Sequence, residues 1–532
     1  MQIWCKSVLF TLICGLIVGC PKQNNASSNK ILSTDLGGNP ATLDPQGAFD
    51  PYTFRILSDL DEGILDMDQA NNPIPGMAES WNVSNDGLTY DFYLRHDLRF
   101  SDGTPIDAHD FVYSWQRMID PKTAGFGGSS FSNIINANEI INNKLSTDNL
   151  GVEAIDKYQF RVNLSKADPA FIAKCTAVFT SPVPKHIIEQ FGESWTNLAN
   201  IVSSGPYKLT KRIINGELIL TKNPYYFDNK NTQIESIVFI PYQDRNAALS
   251  AYKTGELDIL NSVPIDQYNT LKQNYPTELK TVTYEGITFY NLNVFSDKLT
   301  DINVREALSL AIDRDTLAKQ ILANGQTPLY SYVTPTVENG RYKNVTYDWA
   351  NLTQAERESK AQELFTNSGI KSNDYTLDLT YDNSDLSRKT AVAIASMWQK
   401  VLGIKINLVA TEWANYLEKR RNSDFEVLRN SWGAAFNHVT TYTPEYACAS
   451  NVNASRLCTV NYDEMIINAN NDLNEEQQTQ FYERALQLAM DQYAVIPLYQ
   501  NSYTMMIHPN ITGLQVESNL LHDIRSKWIN KH

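Results

Sequence analysis

The sequence predicts an α/β protein built from more than one lobe, on three observations. The chain has 532 residues, too many for one hydrophobic core when domains run to roughly 50–250 residues. Strand-type alternation and helix-type periodicity succeed one another in two separate stretches, from about 205 to 260 and from about 376 to 432. Hydrophobic residues make up 42% and charged residues 20%, which supplies buried cores and excludes a mostly disordered chain.

In chain order, ILSTDLGGNPATLDP from Ile31 reads as a strand entering a proline-bounded turn. SDLDEGILDMDQANNPIPGMAESW from Ser58 reads as an amphipathic helix followed by a loop. LTYDFYLR, Leu88 to Arg95, alternates as a half-buried strand, and Ser101 to Pro105 make a turn. AHDFVYSWQRMI then places Phe111, Trp115 and Met118 on one helix face. After Gly205, YKLTKRI, GELILTKN and SIVFIPY are strands, and the helix AALSAYKTG leads into ELDIL. LDLTYDN, KTAVAIASMWQKVLG, IKINLVATE, WANYLEKRRN and FEVLRNSW give β-α-β-α-β. Two such lobes favour a cleft between them, where strand ends and loops face a ligand. The 28 Tyr, 9 Trp and 20 Phe read as core packing first and ligand lining second.

A formal net charge of −15 repels polyphosphate backbones and argues against a nucleic-acid partner. At the N-terminus, Lys6 precedes the apolar run Ser7 to Val18 and then Gly19-Cys20. About twelve apolar residues are too few for a membrane-spanning helix and suit a signal-peptide core. The end of this run, Leu16 to Cys20, resembles the bacterial lipobox, which implies removal of residues 1–19, a lipid on Cys20 and a flexible tether over 20–30. Cys175, Cys448 and Cys458 then remain. Outside the cytoplasm the close pair Cys448 and Cys458 is expected to bond, worth roughly 2–3 kcal/mol, with Cys175 a buried free thiol. The sequence has neither a CxxC pair nor a Cys/His spacing for zinc, and no cofactor is expected. It also lacks a GxSxG elbow, a P-loop, GxGxxG and HExxH. His96-Asp97 and His109-Asp110 are adjacent pairs whose side chains diverge. A binding protein is expected rather than an enzyme.

Several segments narrow this further: Leu43-Asp44-Pro45, GMAESW and DGLTYDFYLR (76–95), FSDGTPIDAHDFVYSWQRMIDPKTA (100–124), SPVPK, GPYKL, Gly255 to Asp258, NVREALSLAIDRD (303–315) and AVIPLYQ. Together they resemble the oligopeptide-binding family, the extracytoplasmic solute-binding proteins of family 5 that serve ABC importers. The resemblance implies a two-lobed, three-domain periplasmic-binding-protein clamshell of type II (cluster C), with mixed sheets and the ligand cleft between lobes. Domain I is expected at 31–65, 186–285 and 501–532, domain II at 66–185 and domain III at 286–500, with hinges near 286 and 500. It also implies a monomer, in the periplasm or at the cell surface, that captures an oligopeptide and delivers it to a permease and ATPase complex. The ligand would add to exposed strand backbone, with wet pockets tolerating varied side chains.

The same resemblance raises a question at NSWGAAFNH (430–438). In the oligopeptide branch this segment carries an Asp that pairs with the peptide's α-ammonium, and the matching position here is Ala435, after Arg429, Trp432, Gly433 and Ala434. Removing one partner of such a buried pair costs roughly 3–5 kcal/mol. The family's cysteine pair falls on Gly433 and Gly286, its peptide-facing acids on Thr53 and Asn291, and a cleft histidine on Ser387. Trp413, Arg420, Arg429 and Trp432 remain, and Tyr499 within AVIPLYQ joins the ligand-binding candidates. The cleft is therefore expected to lose negative charge and keep positive charge. That favours anionic ligands, or ligands without a free amine such as a murein peptide, haem, a lipid or another apolar anion. Alternatively Glu412, Asp382 or Asp385 reaches the ammonium instead. His438 is expected to be solvated. Because fold does not fix function, a sensory, enzyme-like or adhesion role is the rival from another class.

Overall fold

The computed structural model describes residues 30–532 apart from 49, 124, 125, 449, 451 and 473. The expected signal peptide, Cys20 and the tether up to residue 29 lie outside the described residues.

Among the described residues the largest sheet has eleven strands, and two long antiparallel ones, Leu279–Leu292 and Val495–Ile507, lie at its centre. To one side of Leu279–Leu292 follow Val427–Gly433, Thr376–Asp382 and Lys405–Thr411. To the other side of Val495–Ile507 follow Ile259–Leu260, Ile31–Asp35, Ser236–Ile240, Leu218–Lys222 and Tyr207–Arg212. The two central strands thus run through both halves. Their ladder shifts register twice near its middle: between the pairs Thr283–Ser502 and Ile287–Gln500, where residues 284–286 stand opposite Asn501 alone, and between Thr288–Tyr499 and Phe289–Pro497, where Leu498 is passed over. Such a bulge bends a strand where it occurs, and here it separates the two halves of the sheet.

A separate four-stranded antiparallel sheet is formed by Ala78–Val83, Thr89–Leu94, Gln159–Asn163 and Val152–Ala154. The buried apolar side chains sort with the sheets. One cluster runs from Ile287 to Tyr499 and another from Ile64 to Val202. A third joins Leu32–Leu60, Tyr207–Phe239 and the C-terminal residues Tyr503 to Ile529, with a smaller one around Tyr252 and Leu257 beside it.

Local sequence explains most element ends. Asp107 caps Ala108–Ile119 in a reciprocal capping box with Asp110, and Phe111, Trp115 and Met118 are buried as their spacing predicts. Ser384 caps Asp385–Leu402, and Gly403, at φ +70°, ends it in the left-handed region. The β-α-β-α-β reading of 376–432 holds in order and type. The helix expected from Ser58 is displaced. It spans Pro51–Leu60, because Pro51 occupies the first turn and the Asp50 carboxylate accepts from the Thr53 amide. The segment after it turns sharply at Gly63, where a Cβ would stand 2.8 Å from the Leu65 carbonyl, and Leu65–Met67 pairs with Pro73–Pro75.

Cys448 and Cys458 are joined, and Cys175 is a buried free thiol. Replacing both bonded cysteines by Ser is expected to lower unfolding stability by about 2–3 kcal/mol, the chain-entropy value for so short a loop, measurable by urea denaturation. No described helix is long and apolar enough to cross a membrane.

Candidate functional site

The strand Val427–Gly433 has one paired edge and one largely open edge. Against Leu279–Leu292 its register is complete, with Arg429 opposite Tyr290, Trp432 opposite Ile287 and Gly433 opposite Gly286. On the other edge it pairs with Thr376–Asp382 only through Val427 and Leu428. That neighbour stops at Asp382 because Ser384 turns the chain into the next helix. From Arg429 to Gly433 no described strand pairs with the outer edge, and two main-chain groups of this stretch already have side-chain partners: the Arg429 carbonyl accepts from the Tyr416 hydroxyl at 2.7 Å and the Ser431 amide donates to Asn430 Oδ1 at 2.9 Å. An open edge of this kind can take an extended chain by main-chain hydrogen bonding.

Beyond the strand, the Ala434 amide donates to the Glu285 carbonyl at 2.7 Å. Gly433, Ala434 and Ala435 form one wall of a cavity of 680 Å³. Facing them are Leu36 and Gly37 at the end of Ile31–Asp35, Tyr52, Phe54 and Arg55 of the first helix, the 176–179 segment, Tyr284, and residues 521–525. Side chains from all three large clusters or their flanks thus meet around one space. Gly37, at φ +82°, lies so close to Arg245 that an added Cβ would be 2.9 Å from its Nη2.

The charged groups in this wall answer one another. Asp35 pairs with Arg245 at 2.8 Å and accepts from the Asn261 amide. Burial raises the Asp35 carboxyl, with Asn261 and Arg245 opposing. Arg55 pairs with Asp59 at 2.8 Å, and Arg525 with Asp523 at 2.9 Å and with Asp66. His522 stacks on Tyr503 with ring centroids 3.7 Å apart, and burial pushes its imidazole down to about 4.

The residues expected from the sequence fall into three places. Arg429, Ser387 and Tyr499 are gathered on one face around Asp382. Arg429 Nη1 lies 3.3 Å from Asp382 Oδ2, Ser387 Oγ donates to the same oxygen at 2.6 Å, and Tyr499 is buried with its hydroxyl 3.5 Å from Thr390 Oγ1. Burial works against the Asp382 carboxylate, yet Ser384, Ser387 and Arg429 hold it below its ordinary value. The expectation of a surplus positive charge at Arg429 is corrected here, since Asp382 faces it. On the opposite face, Asn291 is buried and its Nδ2 donates to Glu445 Oε1 at 2.6 Å, while Asn430 Nδ2 donates to Asn291 Oδ1 at 2.9 Å. Trp432 is half-buried, with Nε1 3.5 Å from Thr441 Oγ1. Trp413 is 56% exposed and its ring stacks on Tyr416 at 5.3 Å, on the same helix as Arg420.

Thr53 is buried in the first helical turn, where its Oγ1 donates to Asp50 Oδ2 at 2.5 Å, and its neighbours Tyr52, Phe54 and Arg55 line the cavity instead. Asp385, one of the alternative acids, pairs with Arg388 at 2.7 Å on the outer surface. His438 is buried rather than solvated, because its Nδ1 accepts from the Thr440 amide at 3.2 Å and its Nε2 lies 3.7 Å from Glu338 Oε1. Sequence reasoning missed Tyr284, Arg245, His522 and the buried Glu445. Only the tyrosine carried a usable signal, two residues before Gly286 in an alternating strand. The described residues contain no cluster of three His, Cys, Asp or Glu able to hold a metal.

Known proteins bear on this geometry. Residues 72–454 match the family described as bacterial extracellular solute-binding proteins, family 5 Middle. The chain belongs to the family-5 solute-binding proteins. Among relatives of this solute-binding protein, the periplasmic oligopeptide-binding protein OppA of Salmonella typhimurium is 34% identical over 497 residues, covering 93% of this chain and 91% of that one. The probable deoxycholate-binding periplasmic protein YgiS of Escherichia coli is 31% identical, covering 94% and 93%. The solved structure of the murein tripeptide-binding protein MppA in its unliganded open form aligns with a TM-score of 0.83 at 30% identity, covering 94% of this chain and 97% of that one. The two-lobed clamshell of the family is therefore the fold of this solute-binding protein as well. Gly433 and Gly286 stand directly opposite each other in the ladder.

Proposed function

We propose that this protein captures oligopeptides or peptide-derived ligands between its lobes and hands them to the permease and ATPase of an ABC importer. The observation that carries this is the strand edge beyond Leu428, which no described strand covers and which ends at Gly433 on a cavity walled by all three parts of the chain. Main-chain pairing along that edge gives affinity independent of sequence, and the roomy space beside it admits varied side chains. The names of OppA and MppA, which specify oligopeptides and a murein tripeptide, agree with it. The sorting of buried side chains into three large clusters supports domain I at 31–65, 186–285 and 501–532, domain II at 66–185 and domain III at 286–500. The lipobox-like Leu16 to Cys20 supports a periplasmic or surface lipoprotein anchored through Cys20, acting as a monomer and without catalysis. Of the ligand-binding candidates, Arg429, Ser387 and Tyr499 form one group under the site strand, Asn291 and Trp432 flank it, and Gly433 and Ala435 face the cavity.

A second reading is favoured by Ala435: the ligand lacks a free α-amine. YgiS, whose name specifies deoxycholate, is a relative of similar distance with a non-peptide ligand. Native mass spectrometry of protein purified from its own host is expected to show a bound peptide-sized mass, released on denaturation. Calorimetry then compares one tripeptide with its N-acetylated form, which is expected to bind more than tenfold tighter. A tenfold preference for the free amine removes the second reading, and a bound species with no amide bonds removes the first.

A further inference from the structure

We infer that Lys174 sets ligand affinity without touching the ligand, by capping the Phe436 ring across the gap between the lobes and so favouring the closed clamshell. The inference rests on the two-lobed fold, whatever the ligand. Lys174 Nζ stands 5.6 Å from the centroid of the Phe436 ring, within the range at which an ammonium is drawn to an aromatic face. The two residues belong to different packed bodies. Lys174 lies between Phe171 and Cys175 of the Ile64 to Val202 cluster, and Phe436 three residues before Val439 of the Ile287 to Tyr499 cluster. Their contact sits at the edge of the cavity, which residues 176–179 and Gly433 to Ala435 line and which Lys174 and Phe436 do not.

Each partner is fixed on its own side. Lys174 Nζ donates to Asp168 Oδ2 at 2.7 Å, and Asp168 also accepts from Asn133 Nδ2 at 3.1 Å and from the Ala170 amide at 3.0 Å. The side chains of Lys174 and Asp168 are only 16% and 11% exposed, so water competes little with the ring for the ammonium. On the facing side, the Ala434 amide donates to the Glu285 carbonyl at 2.7 Å, Asn437 Oδ1 accepts from the Glu338 amide at 2.9 Å, and Glu338 Oε1 accepts from the Val439 amide at 2.7 Å. These bonds hold the loop before and after Phe436. His438, in the same loop, lies within electrostatic reach of Asp168 and Lys174, and burial keeps its imidazole neutral at neutral pH, so it does not repel the ammonium. Little side-chain freedom is left to lose when the lobes meet. The attraction therefore adds the same increment to the closed state with any guest, which makes Lys174 a positioning residue for capture.

The test compares four variants of the full chain: Lys174→Met, which keeps the stem and loses the charge, Phe436→Leu, which loses the ring, the two combined, and Lys174→Arg. Small-angle X-ray scattering of the unliganded protein reads the gap between lobes, and stopped-flow release of N-acetylated Ala-Phe-Ala and Ala-Lys-Ala reads the lifetime of the closed complex. Both single variants are expected to scatter as more open particles than wild type and to release the peptides about three- to tenfold faster, by the same factor for both peptides. The double variant is expected to match the more affected single one, and Lys174→Arg to behave as wild type. A lysine that merely braces its own lobe would lower the urea midpoint of Lys174→Met and leave Phe436→Leu unmoved. Unchanged scattering or unchanged release in Phe436→Leu, or effects that add in the double variant, overturn the inference. Absence of binding by both peptides overturns peptide capture and leaves the scattering comparison to decide the role of Lys174. Phe436→Leu decides it even where Lys174→Met does not fold.

Discussion

Glu445→Gln is expected to flatten the pH dependence of unfolding and to raise stability at about pH 8 by roughly 2–4 kcal/mol. Glu445 is 2% exposed, its Oε1 accepts from Asn291, and its Oε2 has no hydrogen-bond partner. Burial dominates and pushes the carboxyl from 4.5 up to about 8, with Asn291 and Arg420 opposing. The folded state therefore favours the protonated acid. Its stabilising contribution is complete below the unfolded value and is lost as pH rises through 8, at about 1.4 kcal/mol per unit. Asp61, pushed up to about 7 by burial, acts in the same direction. His438 and His522, pushed down to about 4 by burial, act in the opposite one: their contribution is lost as pH falls from 6.5 toward 4 and is constant above 6.5. Above that point the carboxylates act alone. The wild-type protein is expected to lose roughly 2–3 kcal/mol between about pH 6.5 and 8.5, and the glutamine variant roughly 1. Gln keeps the acceptor for Asn291, so the hydrogen bond at the site strand survives. Urea denaturation across this range decides it, and an unchanged slope would mean that Glu445 does not titrate there.

Sequence periodicity located elements well where one lobe was a local β-α-β succession. The helix with Phe111, Trp115 and Met118 and the five elements from 376 to 432 lie within a few residues of their expected positions, because burial of one face and the capping residues act over short distances. It failed at 58–75, where the reading extended helical periodicity past Leu60. There the structure is set by contacts remote in sequence: the Gly205 amide donates to the Leu60 carbonyl, and Lys527 and Arg525 pair with Glu62 and Asp66. No local pattern announces a partner more than 140 residues away.

The site was legible only where strand register could be inferred. Gly286 and Gly433 come from the likeness to the family, and in the ladder they stand opposite each other. Charge pairing was not legible, because Asp382 and Arg429 belong to different strands and become neighbours only when those strands lie side by side. The consequence was an expectation of excess positive charge where the folded protein has a matched pair. Thr53 failed for a related reason: its position on the first helix was close, but the helical turn directs Tyr52 and Phe54 to the cavity and Thr53 to the cap.

Arg314→Ala is expected to cost roughly 4–5 kcal/mol, near the upper end for a single substitution, and Arg314→Lys roughly half of that. Arg314 is fully buried, and among the described residues no carboxylate pairs with it. Its Nε donates to the Pro497 carbonyl at 2.8 Å, its Nη1 to the Ser309 carbonyl at 2.9 Å and its Nη2 to Ser309 Oγ at 3.0 Å. The guanidinium lies beside the rings of Tyr330 and Trp349, 5.3 and 5.4 Å from their centroids. Burial lowers its pKa to about 10, so it remains charged at neutral pH and each of its hydrogen bonds is charge-assisted. Replacing a buried ion pair by apolar side chains can be neutral when both partners go together, but here the acceptors include main-chain carbonyls, which no side-chain substitution removes. The Pro497 carbonyl would lose its donor at roughly 1–3 kcal/mol, and the vacated volume beside two aromatic rings adds a cavity cost. Lysine retains the charge but reaches one acceptor, not three. Pro497 stands opposite Phe289 in the central ladder, two residues before Tyr499, so the damage also reaches the strand that passes between the lobes. Arg314→Ala should therefore weaken capture of the N-acetylated tripeptide as well as lower the urea midpoint, whereas the two cysteine substitutions in the 448–458 loop should lower the midpoint and leave that affinity unchanged. An alanine variant within about 1 kcal/mol of wild type would show that the Pro497 carbonyl finds another donor.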